Sequence, residues 1–359
     1  MLDRHSRRIN RTPYSFAGIA YALAAVAALF LSALFSRAQS AANPTWSVTI
    51  VLPPIIVAGH PATLAVFGAD GRLASGVTID TGRGQRVTTD ETGRATFTVP
   101  PDGSFVLAKS SGAASAALVG EDPPAGSSQK LDVAPVISLK DRFSICGAAF
   151  RGDAEANRVK INGERALILG ASPACLVVLP GPKASPGAAV ITVQTGVAQW
   201  TAATTLVSLE FDSPEPALEP ARKSKLVVRA RGVDQPLRVV VENQTPGVLR
   251  FLRGDTQEVR TSGGENNFAA IEVQAIRSGD FSFQARLVAS PNLAIAERYL
   301  QAAEPLAPKD VQHRLKDMAG RLARHPNDSE KVRLQLDRVV SSTIGGDLRT
   351  LLEAAAAAL

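Results

Sequence analysis

Cysteine, histidine and aromatic side chains are all scarce in this chain of 359 residues. Two cysteines exclude a small disulfide-dense scaffold and any Cys-rich metal protein. Four histidines, His5, His60, His313 and His325, stand far apart in the sequence. A Ser-His-Asp or Cys-His site needs a base held beside its nucleophile, and this distribution offers none. His60, within Gly59-His60-Pro61, reads as a turn between strands. Aromatics make up 5% of the chain, and Tyr14, Phe16, Tyr21, Phe30 and Phe35 all fall near its start. A sugar-binding face of exposed Trp and Tyr is left with Trp46, Trp200 and Tyr299, and the two tryptophans suit sandwich cores or edges better. What is abundant is apolar aliphatic sequence, 45% of residues against 20% charged. That excludes a wholly disordered chain and supports two or three domains with cores of their own.

The formal net charge of +6 invites a nucleic-acid reading. Its distribution answers that reading. Residues 1–42 hold Arg4, Arg7, Arg8, Arg11 and Arg37 against Asp3, a net +4. The remainder has 34 basic and 32 acidic residues, with no Lys/Arg block interleaved with aromatics, so no nucleic-acid partner is expected. Behind the arginines, residues 16–35 carry no charge. A basic start before an apolar run is the pattern of a secretory signal or a signal-anchor. The small residues at Ala38, Ser40, Ala41 and Ala42 suit cleavage, whereas the run just reaches spanning length and favours retention. Both remain open: residues 1–42 are a signal peptide or a membrane anchor, with membrane contact through residues 14–36 if uncleaved. Under either reading the body is expected to be exported, periplasmic or at the cell surface; the remaining alternative is a buried Ala-rich helix of a cytosolic protein.

From residue 43 to about 290 short apolar runs alternate with Gly, Pro, Asn and Asp, the rhythm of sandwiches. Three blocks emerge, at 43–119, 134–211 and 212–290, with a Pro/Gly/Ser-rich linker at 120–133. In the first, Ser47 to Leu52, Ala62 to Phe67 and Arg94 to Val99 read as strands, with turns at Asp70-Gly71 and Asp102-Gly103. The loop Thr89-Asp90-Glu91-Thr92-Gly93-Arg94 ahead of a strand resembles bacterial Ig-like or carboxypeptidase-regulatory modules. In the second, Val159-Lys160-Ile161 meets Asn162-Gly163, the strongest short hairpin signal, and returns through Glu164 to Leu169. With Gly147 and Phe150 ahead of it and Leu179-Pro180-Gly181 and Ile191-Thr192-Val193 behind, the block resembles the IPT/TIG immunoglobulin-like family. That resemblance implies a β-sandwich and no particular activity. The third block reads as another antiparallel sandwich.

Cys146 and Cys175 lie in the second block. An isolated pair within one small sandwich in an oxidising compartment is expected as a disulfide, the alternative being two buried thiols. Zinc, which wants four ligands, finds no other soft donor nearby. Asp70, Asp80, Asp90 and Glu91 cluster in loops of the first block and are candidates for calcium binding or carboxylate catalysis. They match no calcium-loop spacing, and Asp is common in turns anyway. Gly82-Arg83-Gly84 precedes no helix and reads as a hairpin tip. No catalytic, cofactor-binding or metal residue is assigned.

Residues 291–359 change period. Val311, Leu315, Met318 and Leu322 share one helical face, with Asp310 as the expected N-cap. His325-Pro326-Asn327-Asp328 interrupts, and Val332, Leu336, Val339 and Val340 line a second helix. Asp347 opens a third, which runs to Leu359. This stripe has to be buried, on the third sandwich or on a partner. The expected fold is thus mainly β: tandem immunoglobulin-like antiparallel sandwiches between an N-terminal hydrophobic helix and a C-terminal helical segment. The expected function is a non-enzymatic bacterial envelope protein that binds a protein or glycan partner or acts as a spacer. The alternative is a non-catalytic subunit of a membrane-associated enzyme or secretion complex, docked through the tail.

Overall fold

The structure, a computed structural model, describes residues 48–121, 130–147, 149–212, 221, 223–252, 254–288, 291–343 and 345–359. The expected N-terminal hydrophobic helix lies outside the described residues, among which no helix is long and apolar enough to cross a membrane.

The first sandwich holds β1 (Thr49–Val51), β2 (Ile55–Val57), β3 (Pro61–Phe67), β4 (Thr78–Asp80), β5 (Arg86–Thr88), β6 (Arg94–Thr98), β7 (Phe105–Ser110) and β8 (Ala113–Gly120). One sheet contributes β1-β3-β6 and the other β2-β8-β7-β4-β5. Ile56, Leu64, Val66, Ile79, Phe97 and Val106 fill the space between them.

The second sandwich follows through β9 (Asp132–Val133), β10 (Val136–Ser138), β11 (Phe143–Cys146), β12 (Asn157–Ile161), β13 (Glu164–Arg165), β14 (Leu167–Ala171), β15 (Cys175–Leu179), β16 (Gly187–Thr195) and β17 (Ala198–Asp212). The Asn162-Gly163 turn joins β12 to β13 with φ of 49° and 86°, the positive values that two-residue hairpins require. The return run from Glu164 is not one strand. It breaks at the buried Ala166, so β13 stays in the sheet of β12 while β14 crosses to the opposite sheet.

The third sandwich comprises β18 (Lys223–Arg231), β19 (Arg238–Asn243), β20 (Leu249–Phe251), β21 (Thr256–Arg260), β22 (Phe268–Ala275) and β23 (Phe283–Leu287). Its core includes Phe251 and Phe283, stacked at 5.6 Å.

Two sheets ignore the boundaries between these cores. β3 of the first sandwich pairs with β14 of the second at Thr63 and Ala171, giving the path β1-β3-β14-β15-β11-β9. The 15-residue β17 pairs with β16 along its first half and with β18 along its second, carrying one sheet from the second core into the third.

Four α-helices close the chain: α1 (Leu293–Ala303), α2 (Lys309–Arg324), α3 (Ser329–Ser342) and α4 (Gly346–Ala357). Asp310 is not the N-cap of α2; that position is Pro308, and Asp310 lies in the first turn, where its charge still complements the helix dipole. The apolar stripe does not rest on the third sandwich. It is buried on the first, where Leu107, Ala116 and Leu118 of β7 and β8 join Tyr299, Leu300, Leu315, Met318, Leu336, Leu351 and Leu352 in one core. The β7-β8 layer is therefore covered on both faces, with Val106, Ala108 and Ala117 turned to the sandwich interior. This explains why Phe105-Val106-Leu107-Ala108 and Ala116-Ala117-Leu118-Val119 are continuous apolar runs rather than alternating ones.

Candidate functional site

The carboxylates singled out in the first block do not converge. The three aspartates each accept bonds within their own turns. Asp70 Oδ1 accepts from the Arg72 amide at 3.0 Å and Asp80 Oδ1 from the Gly82 amide at 2.8 Å. Asp90 Oδ1 takes the Thr92 amide at 2.8 Å and the Thr92 hydroxyl at 2.6 Å. The hydroxyl bond holds the Asp90 carboxyl below the usual range. Glu91 is exposed at the tip of the same loop. Among the described residues no group of three His, Cys, Asp or Glu could hold a metal ion. His60 sits in the β2–β3 turn, where its carbonyl accepts from Val99 at 2.9 Å. His313 lies on the exposed face of α2, 3.7 Å from Asp317. Arg83, between two glycines, occupies the β4–β5 hairpin tip and pairs with Asp102.

Cys146 and Cys175 form a disulfide. They stand opposite one another on the neighbouring strands β11 and β15, so the bridge lies within one sheet. Cys175 is fully buried and packs with Val57 and Ala174, and partly buried Ile55 and Cys146 complete the cluster. The bridge thus borders the junction between the first two sandwiches.

Several further contacts cross that junction. A second apolar cluster crosses it, formed by Val51 and Ala65 from one side and Leu169 and Val177 from the other. The buried Thr63 hydroxyl donates to the Gly152 carbonyl at 2.7 Å and accepts from the Ala154 amide at 3.3 Å. Ser172 Oγ donates to the Ile55 carbonyl at 2.7 Å. Gly152 lies so close to the Pro61 carbonyl that a Cβ there would overlap it.

Beside the junction opens a crevice of about 340 Å³. Its apolar lining includes Val159, Ala166, Leu167, Leu179 and Pro180, and three arginines share it: Arg94, Arg158 and Arg165. Arg94, at the start of β6, is nearly buried, with its side chain 11% exposed. It donates to Thr92 Oγ1 at 2.9 Å and to the Ile168 carbonyl at 3.2 Å, and pairs with Glu155 of the short 3-10 turn Ala154–Ala156. Arg158 and Arg165 are exposed. None of these arginines was singled out from sequence, because Arg94 reaches the other two only across the junction. Arg158, Lys160 and Arg165 around the Asn-Gly hairpin were a readable basic face.

A second groove, of about 330 Å³, lies between α2 and α3 and includes Asp317 in its lining. Arg314, Arg321, Arg338 and Met318 line it.

No protein-family model matches this chain. No curated protein matches it either. Among solved structures it is similar to the ten-domain extracellular region of plexin A4, at 10% identity over 68% of this chain and 23% of that one, TM-score 0.26. It is similar to the titin I9-I11 tandem, at 10% identity over 67% of this chain and 94% of that one, TM-score 0.19. It is also similar to the four N-terminal Ig domains of Dscam1, at 11% identity over 65% of this chain and 73% of that one, TM-score 0.21. The chain spans less than a quarter of that plexin region. At these scores the likenesses carry no argument, and the mainly β, antiparallel description rests on the sheets themselves.

Proposed function

We propose that this chain is an exported, non-enzymatic envelope protein of bacterial type. Its immunoglobulin-like modules, the second of them IPT/TIG-like, form a stiff scaffold that holds a binding surface at a fixed place outside the membrane. The observation that carries this reading is the continuity of the sheets through both module boundaries, together with the helical tail seated on the first sandwich. A chain of independent beads needs neither. The basic start and uncharged run of residues 1–35 support export, and the Cys146–Cys175 bridge supports an oxidising compartment. The carboxylates and histidines are distributed among separate turns and helices, which supports a role in binding rather than catalysis.

The test is production of the full chain in a bacterial host, followed by protease accessibility and thiol labelling. The expected result is digestion in spheroplasts and no labelling of Cys146 or Cys175 without reductant. A protease-protected chain with both thiols labelled overturns the export reading. A second reading, a complex subunit docked through the tail, draws on the groove of Arg314, Arg321 and Arg338. The apolar stripe is engaged within the chain, so such docking would use the outer face of α2 and α3. Cross-linking from those helices to another polypeptide, lost with Arg314→Glu and Arg338→Glu, would favour it.

A further inference from the structure

We infer that the crevice beside the junction of the first two sandwiches binds an acidic peptide segment, one alternating carboxylate and aliphatic side chains. This names a partner chemistry for the scaffold proposed above and rests on that reading.

Three features converge there. The first is charge: Arg94, Arg158 and Arg165 line one crevice against the single carboxylate of Glu155. The side chains of Arg158 and Arg165 make no hydrogen bond or ion pair among the described residues, so two guanidiniums stand ready for a carboxylate. Guanidinium recognises that group through paired N–H donors. The second is the lining. Leu167, 40% exposed, sits with Leu179 and Pro180 where an aliphatic side chain would find apolar contact. Guanidiniums alone would also take an inorganic anion; the apolar lining beside them is what selects a segment carrying both groups. The third is Glu155 itself. Its exposed carboxylate already sits on Arg94, so the chain shows the ligand chemistry in cis: a carboxylate on a short flexible stem fits. An incoming acidic side chain would meet Arg158 and Arg165 first and compete with Glu155 for Arg94.

The geometry also gives the surface a fixed form. Arg158 and Arg165 stand on neighbouring strands, with Lys160 opposite Arg165 in the β12–β13 ladder. Arg94 is held by Thr92 and Ile168 from both sides of the junction. The backbone and Arg94 are therefore in place before the segment binds, while the Arg158 and Arg165 side chains order on binding.

The experiment uses the full purified chain and a capped hexapeptide of alternating Glu and Val carrying an uncharged dye, read by fluorescence anisotropy. Saturable binding is expected, weakening as salt rises. The pair Arg158→Glu and Arg165→Glu should weaken it by about tenfold or more while leaving the unfolding midpoint unchanged, because both side chains are exposed and unpaired. Glu155→Gln should tighten binding several-fold by freeing Arg94. A Lys/Val peptide of the same length should not bind. Flat anisotropy up to about 1 mM peptide, about the weakest affinity such a contact would show, overturns the inference. So does equal binding by the charge-reversed variant, or by the Lys/Val peptide. None of those failures touches the scaffold reading, whose thiol-labelling and protease tests do not involve Arg158 or Arg165.

Discussion

At the residue scale, the junction between the first two sandwiches hangs on small groups in close approach. Gly152 is required because its backbone lies against the Pro61 carbonyl, leaving no room for a methyl group. Gly152→Ala must push the two sandwiches apart or break the Thr63 bonds, which satisfy otherwise buried backbone groups. We expect a loss of about 2 kcal/mol or more, the range of overpacking and lost buried hydrogen bonds, measured by urea denaturation. The disulfide contributes differently. Its cysteines are 29 residues apart, and closing a loop of that size stabilises by about 3 to 4 kcal/mol in the chain-entropy model. Paired Cys146→Ser and Cys175→Ser replacements should lower stability by about that amount. Urea curves of the wild-type chain under reductant should match those of the double variant. Tyr299 is a third such residue. Burial raises its phenol pKa, and the protonated hydroxyl donates to the Ala116 carbonyl at 3.0 Å, joining α1 to β8.

At the element scale, the helical tail is part of the first sandwich's packing. Leu300, Leu351 and Leu352 are buried against β7 and β8 and each other. Leu300→Ala should cost about 2 to 5 kcal/mol through cavity formation. Its signature is location: hydrogen exchange should quicken in β7 and β8 while the third sandwich stays protected. Exchange quickening only within the helices would contradict the shared core. It follows that removing residues 305–359 strips a core and does not report on partner docking, so docking is better tested by surface charge reversal. The tail also touches the third sandwich through polar groups. Arg238 pairs with Glu258 at 2.6 Å and lies 3.8 Å from Glu330, and Arg333 reaches Glu258 at 3.2 Å. Burial raises the Glu258 pKa, but the Arg238 hydrogen bond and the charges of both arginines outweigh it and hold the carboxyl below its ordinary value. A carboxyl depressed on folding stabilises the native state above its unfolded pKa of about 4.3, and that contribution is lost as pH falls through the lower folded value. Exchange in α3 and β21 should therefore rise selectively below about pH 4. Glu258→Gln should remove that pH dependence.

At the scale of the body, the shared sheets and tail core predict coupled unfolding. The chain from residue 48 onward should melt in one calorimetric transition, with the van't Hoff enthalpy close to the calorimetric one. Three separable transitions would show the sandwiches to be independent. Much of the β architecture was legible beforehand, because strand formation here depends on local alternation and turn chemistry. Ala62 to Phe67, the Asn162-Gly163 hairpin and Ile191 to Val193 all signal themselves over a few residues. Less legible was β21, Thr256–Arg260, whose charged, half-exposed pattern lacks an apolar face. The helix α1 went unread because its alanines blur the stripe. Arg158 and Arg165 could be read as one basic face of the Asn-Gly hairpin, but Arg94 could not be joined to them, since a site assembled from β6, β12 and β13 has no sequence spacing to recognise.

The sequence by itself determined the class of this protein: a basic, uncharged-run start, a β-rich body with turn-driven strands, and a helical end with a stripe to bury. Those properties follow from composition and short-range periodicity, which act between near neighbours. Only the tertiary structure decided what the stripe covers, because apolar burial is non-directional and the third sandwich and the first both present valine and leucine. The choice fell to the double-sided β7-β8 layer, whose outward Leu107, Ala116 and Leu118 have no other cover. Likewise, only the tertiary junction of the first two sandwiches, with its β3–β14 pairing, apolar cluster and Gly152–Pro61 approach, brings Arg94 beside Arg158 and Arg165, making one basic crevice out of charges otherwise belonging to separate modules.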